Sequence, residues 1–478
     1  MPLILPGNVA SATAAAGYDV ANSCRFDGSS AYLSKTFTEG NRKTFTWSGW
    51  VKLGEVNATT SLFSARSSTS DAIRISLPSQ ALEFWSEDAG VVSLSTSRFF
   101  RDPTGWYNIV VAVDTTQGTA ANRVKIYING TQETSFNAST YPAEDYEFAN
   151  LNNSVAHSIG QDNSAQYFDG YMAEVVFIDG LQLAASSFGE FDSDSPTIWK
   201  PKDVSGLTFG DEGFYLDFED SGDLGDDESG NTNDFTENNI AAADQSVDTC
   251  TNNFCTLNPL LKGSYITLSE GNLVSTGNTS TDAGNVACTF PMPDGGKWYF
   301  ELKITAISAS GYPKIAVFHD FESVPQGNYN GGAGGDNMHP SGASGDAVST
   351  TIQYNSTTLE NPTENLSITA PANGDIIQFA LDMDNGAIYV GVNGTFLNSG
   401  DPTSGASKTG KVADLTVTNQ IMPMVCDYNG SATSWNFGSP HHSISSGNAD
   451  DNGYGNFEYD VPTGYLALCT KNIGSDGG

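Results

Sequence analysis

Positively charged residues are scarce in this sequence, and so are long apolar runs. Lysine and arginine number 20 against 56 aspartate and glutamate residues, which gives a formal net charge of -36. Such a surplus opposes the phosphate neutralisation on which nucleic-acid binding depends, so we expect no nucleic-acid partner. No stretch approaches the roughly 20 apolar residues needed to cross a bilayer. The opening MPLILPGNVASATAAAGYDV also lacks a basic residue before its apolar part, so we expect neither membrane insertion nor a secretory leader.

Cysteine and histidine are also few and scattered. None of the six cysteines has the paired CxxC spacing of a zinc site. The only adjacent histidines, His441 and His442, would point to opposite faces of a strand. These spacings indicate no transition-metal centre. We expect most cysteines to be core thiols, although Cys250 and Cys255 could close a small loop if oxidised.

Glycine, asparagine, serine and threonine are abundant instead, which favours many short strands joined by tight turns. Residues 106–136 are the clearest case. NIVVAV is an apolar run of strand length, DTTQGTAANR must turn, and VKIYI alternates Val124, Ile126 and Ile128 with residues of the other face. Asn129-Gly130 then predicts a type I′ hairpin turn, followed by a strand over 131–136. The segment therefore predicts three antiparallel strands.

The same pattern recurs in DIIQFALDMDNGAIYVGVNGTFLN. Residues 376–381 and 387–392 are predicted strands joined at Asp384-Asn385-Gly386, and Asn393-Gly394 closes another tight turn. Neither copy has room for a helix between its strands, which argues against parallel βαβ units. Because 478 residues exceed one ordinary core, we predict an all-β fold of two antiparallel β-sandwich domains.

Five strand motifs in the first part of the chain resemble a LamG or pentraxin-type domain of the concanavalin A-like lectin/glucanase superfamily. They are FDGSSAYL, FTWSGWVK, WYNIVVAVD, VKIYINGTQ and IGQDNSAQYFDGYMAEVVFIDGLQL, in the family's order. The resemblance implies two large antiparallel sheets packed as a jelly roll, with ligands bound by loops at one rim, often through calcium. Asp27, Asp162 and Asp169 are the candidate calcium ligands, because Asp and Asn loops offer hard oxygen atoms.

The last part of the chain resembles a SPRY domain, a smaller β-sandwich used for binding and not known for catalysis. The resemblance rests on GGKWYFELKITAI, the double hairpin, SWNFGS and VPTGYLALCTKNI, within residues 285–473. We therefore divide the chain into a docking arm (1–21), a LamG-like sandwich (22–188), an acidic connector (189–262) and a SPRY-like sandwich (263–478). The connector is expected to be solvated, with one strand at 214–218.

Two Gly-rich inserts, residues 325–346 and 438–456, interrupt the SPRY-like pattern and are predicted to be surface loops that carry recognition residues. Their aromatic and hydrogen-bonding groups suit sugars and polar protein surfaces alike. The alternative is that both are mobile filler. In either case we expect deletion of a loop to leave the melting transition nearly unchanged. The candidate ligand-binding residues are Tyr329, Asn337, His339, His441 and Tyr454.

Carboxylates suited to glycoside hydrolysis are not evident. A glucanase with this fold would need the strand pattern Glu-x-Asp-x-x-Glu, which is absent. Asp217 and Glu219 are two residues apart and so share a strand face, as are Asp382 and Asp384. Each pair lacks a third acid and is better interpreted as part of a turn. We expect a protein without enzymatic activity.

The order of arm, LamG-like sandwich, acidic connector and SPRY-like sandwich resembles virion proteins of tailed bacteriophages, particularly appendage and fibre proteins. The resemblance implies a virion location, attachment to other virion proteins through the N-terminal arm, and host adhesion by lectin-like binding of a glycan or protein. Because such proteins are commonly cyclic assemblies, we expect a homotrimer. Two alternatives stay open: a capsid-surface decoration or head fibre protein, and a secreted glycan-processing enzyme or its carbohydrate-binding module.

Overall fold

A computed structural model of the chain forms two compact units, Met1–Asn253 and Phe254–Gly478. Each unit is an antiparallel β-sandwich, as the turn-rich sequence predicted. The structure describes residues 17–68, 70–87, 91–278, 283–307, 314–318, 350–351, 353–355, 358–360, 365–415 and 421–476.

The described part of the first unit contains strands, one short α-helix and three single-turn 3₁₀ helices. The described strands are β1 (Ser23–Asp27), β2 (Tyr32–Thr36), β3 (Thr44–Leu53), β4 (Thr60–Ser68), β5 (Asp71–Leu77), β6 (Ala81–Ser86), β7 (Ser93–Phe99), β8 (Trp106–Asp114), β9 (Val124–Ile128), β10 (Thr131–Gln132), β11 (Phe136–Thr140), β12 (Ala156–Ile159), β13 (Asp169–Asp179), β14 (Gly189–Phe191), β15 (Trp199–Pro201), β16 (Phe214–Leu216), β17 (Thr236–Asn238) and β18 (Gln245–Ser246). The four-residue helix α1 (Ala120–Arg123) lies between β8 and β9, where the sequence predicted no helix.

Two large sheets pack face to face in this unit. The back sheet has the order β10-β9-β8-β3-β13-β1-β18, with β16 also paired to β13, and the front sheet has the order β11-β7-β6-β5-β4-β12-β2-β17. The alternation in β9 places Val124, Ile126 and Ile128 in the core between the sheets, while Lys125 and Tyr127 are half-buried on the other face. This is the pattern that the sequence predicted.

The Asn129-Gly130 turn also forms as predicted. Asn129 has φ +45° and Gly130 has φ +75°, the left-handed values that a type I′ turn requires. A Cβ atom on Gly130 would lie 2.3 Å from the Trp199 ring, so packing as well as conformation requires glycine here. The strand expected over 131–136 is wrong in part, because β10 ends at Gln132 and the chain crosses to the front sheet, where β11 begins at Phe136.

The outer face of the back sheet is covered by a third layer of chain. Trp50, Val110 and Tyr171 of this face pack in one apolar cluster with Phe188 and Trp199. The cover includes parts of residues 183–209 and 248–253. It is fixed by a buried ion pair in which Lys52 Nζ lies 2.6 Å from Asp248 Oδ2.

The segment at 189–262 differs from the predicted solvated connector. Besides β16, the strands β17 and β18 pair with β2 and β1, so most of the segment belongs to the first sandwich. The units divide between Asn253 and Phe254 instead of at residue 263. Phe214, Leu216 and Phe235 fill the core, whereas Asp220 and Asp223 accept backbone N–H groups in turns. The density of acidic turn residues conceals these apolar positions in the sequence.

The second unit is also built almost entirely of strands. Those described are β19 (Leu257–Lys262), β20 (Ile266–Ser269), β21 (Val274–Gly277), β22 (Ala283–Cys288), β23 (Lys297–Ala306), β24 (Lys314–Phe318), β25 (Thr350–Thr351), β26 (Gln353–Asn355), β27 (Thr358–Glu360), β28 (Asn365–Ser367), β29 (Ile376–Asp382), β30 (Ala387–Val392), β31 (Thr395–Phe396), β32 (Ala413–Asp414), β33 (Met422–Tyr428), β34 (Ala432–Asn436) and β35 (Leu466–Ala467). The helix α2 (Thr470–Asp476) follows them.

Its sheets have the orders β19-β22-β33-β24-β25 and β20-β21-β34-β23-β29-β30-β31, with a small third sheet of β26-β27-β28. The second copy of the hairpin pattern is confirmed, because β29 and β30 pair antiparallel and Asn393 and Gly394 have φ +49° and +84°. Phe300 stacks on Trp435 in the core, which also contains Trp298.

All six cysteines are buried and unbridged, which agrees with the expectation that most are core thiols. No helix in the described part of the chain is long and apolar enough to span a membrane.

Candidate functional site

Two of the predicted calcium ligands lie next to each other. Asp27 and Asp169 are directly paired residues of β1 and β13. The Asp27 carboxylate accepts the backbone N–H groups of Ser29, Ser30 and Ala31 at 2.7–2.8 Å, and the hydroxyls of both serines. Burial alone would raise its pKa, but these hydrogen bonds outweigh it and hold the pKa below its usual range. Asp27 therefore stabilises its own loop.

Asp162 lies apart from that pair, in an arginine cluster formed by Arg66, Arg74, Glu87 and Asp162. Its side chain is 1% exposed, and its two oxygens accept N–H groups of Arg66 at 2.8 Å, in a bidentate pair, and of Arg74 at 3.0 Å. Since protein donors occupy the oxygens of Asp27 and Asp162, these residues do not fit a calcium ion as they stand.

The arginine cluster borders the face of the front sheet that is turned away from the core. We call this the serine face and define it by Ser61, Ser76, Ser93 and Ser95 together with Arg74, Glu83 and Trp85. Strand register places Ser61, Ser76, Glu83 and Ser95 in one row across β4, β5, β6 and β7. Arg74, Trp85 and Ser93 form the next row.

Trp85 and Arg74 are the largest groups on the serine face. Both are half-buried, and the guanidinium carbon of Arg74 lies 4.2 Å from the centroid of the Trp85 ring. Burial raises the pKa of Glu83, and the nearby charge of Arg74 acts against that increase. The face thus combines an aromatic ring, a carboxylate and a row of small hydroxyl side chains.

The ligand-binding residues predicted in the second unit are only partly described. Tyr329, Asn337 and His339 lie outside the described residues, as does the whole of 325–346. His441 is half-buried, with its Nδ1 3.2 Å from Glu270 Oε2. Tyr454 is half-buried, with Lys471 Nζ 5.5 Å from its ring centroid.

The loop at 438–456 is bound firmly to the sandwich through Asp450. One oxygen of this buried carboxylate accepts the backbone N–H groups of Asn452 and Tyr454 at 2.9 Å. The other accepts Ala467 N at 2.8 Å and Asn472 Nδ2 at 2.7 Å. These bonds argue against the prediction that this loop could be removed without affecting the melting transition.

A second buried acid anchors the chain that follows this loop. Glu301 of β23 accepts the Tyr299 hydroxyl at 2.7 Å and the backbone N–H groups of Glu458 and Tyr459 at 3.0 Å. Burial raises the pKa of Glu301. Phe457, between these anchors, is fully buried against the Tyr299 ring.

Glu174 is an unusual residue that sequence reasoning missed. It lies at the irregularity in the pairing of β13 with β3, has φ +50° and is buried. Its carboxyl group accepts the Tyr215 hydroxyl at 3.0 Å and the Tyr18 hydroxyl at 3.4 Å. Burial, followed by the charges of Asp217 and Glu219, raises its pKa to about 8. The run MAEVVF contains no signal for a bulge, so only the structure identifies this site.

The acids weighed from the sequence as catalytic pairs serve turns. Asp217 Oδ1 accepts the backbone N–H of Glu219 at 2.9 Å, and Asp384 Oδ1 accepts that of Gly296 at 2.8 Å. Asp382 is buried and accepts both the backbone and side-chain N–H groups of Asn385. The serine face was also missed, although the period-2 pattern of DAIRISL and ALEFWS places Arg74, Ser76, Glu83 and Trp85 opposite the core side chains.

The first sandwich matches a known family. Residues 27–183 match the family model described as the concanavalin A-like lectin/glucanases superfamily, which confirms the resemblance of the first domain. The matched range contains the serine face and the arginine cluster. No protein of curated function matches the chain in sequence.

Several solved structures are similar to parts of the chain at low identity. The SPRY domain of human HERC1 is 16% identical, with 37% of this chain and 96% of that domain covered and a TM-score of 0.26. A heptameric SAP-like pentraxin from Limulus polyphemus is 15% identical, with 35% and 80% covered and a TM-score of 0.28. Domain 4 of AbnA, a GH43 extracellular arabinanase from Geobacillus stearothermophilus solved with arabinotriose, is 18% identical, with 33% and 66% covered and a TM-score of 0.23. At these values the similarities carry no argument about what this chain binds.

Proposed function

We propose that the chain is a non-enzymatic structural protein of a tailed-bacteriophage virion, a tail fibre or other surface appendage that mediates host adhesion. Adhesion uses lectin-like binding of a surface glycan or protein. The observation that carries the proposal is the serine face, where the half-buried Trp85 and Glu83 lie inside the range that matches a lectin superfamily. Stacking on an aromatic ring and a few placed polar groups are the contacts by which proteins hold small polar ligands.

Binding is favoured over hydrolysis by the use of the carboxylates. The acids at 217 and 382 are bonded to their own turns, Asp384 accepts the backbone N–H of Gly296, and Asp162 is paired with two arginines. A retaining glycosidase needs two carboxyl groups about 5 Å apart and open to substrate. No such pair is evident on the serine face in the described residues, where Glu83 is the single acid.

The virion role has a direct test. The protein is expected to co-purify with phage particles, and the purified chain is expected to compete with particles for host cells. A chain that is absent from particles and does not affect their adsorption contradicts the proposal. Residues 2–6 of the docking arm, the part that we expect to attach to other virion proteins, lie outside the described residues.

The homotrimer is also proposed, because weak lectin-like sites gain binding strength when several are presented together. Sedimentation equilibrium should give a mass three times that of the 50.6 kDa chain. A monomer both free and with its virion partner would remove this part of the proposal.

A capsid-surface decoration or head fibre protein would have the same binding chemistry. Electron microscopy of particles labelled with an antibody to the chain separates the two positions. Label on the tail supports the adhesion role, and label on the capsid favours decoration.

A glycan-processing enzyme is the second candidate, and Glu174 is the observation that favours it. A carboxyl group with a pKa of about 8 is protonated at neutral pH, as a general acid requires. Two tyrosine hydroxyls cover it and the residue is 5% exposed, which argues against access by a substrate. Release of reducing ends from polysaccharide that disappears in Glu174→Gln, while the fold is retained, would establish the enzyme and overturn the proposal.

A further inference from the structure

Lys52 is the one buried lysine among the residues that the structure describes. It lies on β3, directly paired with Tyr171 of β13, on the face of the back sheet that the third layer covers. Its Nζ lies 2.6 Å from Asp248 Oδ2, and both side chains are 1% exposed. Taking two charges out of water costs about as much as their attraction returns, so this pair needs a further physical reason.

A side-chain amide lies against the same amine. Lys52 Nζ is 2.7 Å from Asn253 Oδ1, and Nδ2 of that amide donates to Thr104 O at 2.5 Å. Because a carbonyl bond is about 1.23 Å long, the amide carbon Cγ lies at most about 3.9 Å from Nζ. Reacting atoms positioned for attack are about 3–3.5 Å apart, so the amine needs little movement to reach this carbon. We call Lys52, Asp248 and Asn253 the amide triad.

The amide triad is enclosed and held in place by its neighbours. Trp106 Nε1 donates to Asp248 Oδ1 at 3.2 Å, while the other oxygen of that carboxylate contacts the lysine. The ring centroid of Tyr171 lies 5.6 Å from Lys52 Nζ. Asn253 is buried as well. A site that excludes water in this way favours neutral groups over charged ones and limits competing hydrolysis.

We infer that the amide triad forms an intramolecular isopeptide bond between Lys52 Nζ and Asn253 Cγ, with release of ammonia. Lys52 is the nucleophile, Asn253 is the amide that it attacks, and Asp248 carries the protons. The reaction exchanges one nitrogen for another on the same carbon, so nothing is oxidised or reduced. This cross-link goes beyond the proposed adhesive function and does not depend on it.

The atoms and protons of the reaction balance within the amide triad. One proton moves from the Lys52 ammonium to Asp248 Oδ2, which turns two buried charges into neutral groups. The Nζ lone pair then forms a bond to Asn253 Cγ, and the electrons of the carbonyl π bond move to Oδ1. When they return, the bond from Cγ to Nδ2 breaks and its electron pair leaves with the nitrogen. Asp248 gives its proton to that nitrogen and accepts a second one from Nζ, so ammonia leaves and Asp248 ends protonated.

Lys297 in the second unit provides an internal comparison. Its Nζ lies 3.8 Å from Oδ2 of the fully buried Asp382, but the lysine side chain itself is 22% exposed. The nearby Asn385 directs its Nδ2 at this acid, at 2.8 Å. A buried acid near a lysine therefore does not by itself bring an amide carbonyl to the amine, and we expect no cross-link at Lys297.

The cross-link would join the strand β3 to the last residue of the first unit. It would enclose residues 53–252 in a covalent loop, and a link of this kind restricts the unfolded chain as a disulfide does. Force applied at the two ends of the unit would then pass through the isopeptide bond and bypass the enclosed strands.

Mass spectrometry of the purified full chain tests the bond. The intact mass should lie below the value calculated from the sequence by one ammonia, about 17 Da. Trypsin cleaves after lysine and arginine but not at a lysine whose Nζ is acylated, so residues 44–66 should be recovered joined to residues 203–262. A full-mass chain with separate peptides overturns the inference. Loss of ammonia confined to residues 203–262, the mark of a succinimide, also overturns it, and loss of one water instead of ammonia overturns the assignment to Asn253.

Variants of the full chain assign the roles within the amide triad. Lys52→Arg keeps a cation beside Asp248 without the nucleophilic amine, Asn253→Ala removes the amide, and Asp248→Asn removes the proton carrier. Each should show the full mass of its own sequence and separate peptides, with circular dichroism to confirm folding. Lys43→Arg is the matched control, because Lys43 directly precedes β3 with its side chain 32% exposed, and it should retain the loss of ammonia. Cross-linking that persists in Asn253→Ala or Asp248→Asn contradicts the role given to that residue.

Discussion

At the scale of single residues, the second unit contains an acid whose ionisation opposes folding. Asp427 is fully buried and accepts hydrogen bonds from the hydroxyls of Ser275, Ser431 and Thr433. Burial raises its pKa to about 7, and these hydrogen bonds act in the opposite direction. The folded state therefore retains a proton that the unfolded chain loses near pH 4.

The free energy of unfolding should consequently fall between about pH 4 and pH 7 and level off above that range. In Asp427→Asn the free energy of unfolding should fall less steeply with pH. The difference in slope corresponds to about one proton, because the amide does not ionise. Urea unfolding measured at intervals from pH 4 to pH 8 gives the slope directly. An unchanged slope in the variant would mean that Asp427 is ionised throughout this range in the folded protein.

The arginine cluster allows a second prediction at this scale. Asp162→Ala leaves two arginine side chains, 14% and 15% exposed, without their most buried counter-ion. Breaking a buried pair in this way costs about 3–5 kcal/mol, and we expect the lower end because Glu87 remains.

Glu147→Ala is the control for this measurement, because Glu147 pairs with Arg42 while 52% exposed. Its loss should cost about 0–1 kcal/mol in the free energy of unfolding. Equal losses in the free energy of unfolding for the two variants would contradict the view that burial makes the arginine cluster important for stability.

At the scale of elements, the loop at 438–456 is a structural part of the second sandwich. Asp450→Ala removes the acceptor of four N–H groups, so we expect a loss of several kcal/mol, since each unbonded buried donor costs about 1–3 kcal/mol. Thermal unfolding checks the loss, with Asp460→Ala, an exposed carboxylate in the same stretch, as the control. A melting temperature within a degree of wild type would show that other contacts hold the loop.

Strands and hairpins were predictable because their signals are local. Asn129-Gly130, Asn393-Gly394 and the alternation in β9 each specify a turn or a face within a few residues. The roles of Asp27 and Asp162 were not predictable from the sequence, because each depends on which hydrogen-bond donors the fold brings to the carboxylate. Asp27 binds its own loop, while the arginines on Asp162 come from strands about ninety residues earlier in the chain.

The amino-acid composition of the loop at 438–456 indicated flexibility for a related reason, because composition does not show which residues become buried. Glycine, serine and asparagine in 438–456 are typical of flexible linkers, but one buried aspartate and the following Phe457 fix the segment. A single buried residue carries more information about the order of a loop than its average composition does. The bulge at Glu174 likewise arises from tertiary pairing and has no local signal.

At the scale of the whole molecule, the division after Asn253 predicts which fragments fold. A fragment of residues 17–253 contains the strands and third layer of the first sandwich and should unfold cooperatively. A fragment ending at residue 188, where the resemblance alone would cut, lacks β16, β17 and β18 and exposes Trp50 and Tyr171 on the back sheet. We expect it to aggregate or remain unfolded.

Circular dichroism and calorimetry of the two fragments test this division. A fragment of residues 17–188 that melts cooperatively near the temperature of the longer one would show that residues 189–253 are dispensable for the sandwich. The same result would favour the solvated connector that the acidic composition indicated.

The pairing of β1 with β18 brings the two ends of the first sandwich together. Val20 N and Val20 O both lie 3.1 Å from Thr251 Oγ1, and Ser23 pairs with Ser246. We call the paired strands β1 and β18 the seam. If the arm is attached to a particle and force is applied through the second unit, the force enters and leaves the first sandwich at this seam. The hydrogen bonds of the seam would then break one after another, because the load acts at the same end of both strands. Both β1 and β18 belong to the back sheet, so the strands that carry this load are not those that carry the serine face.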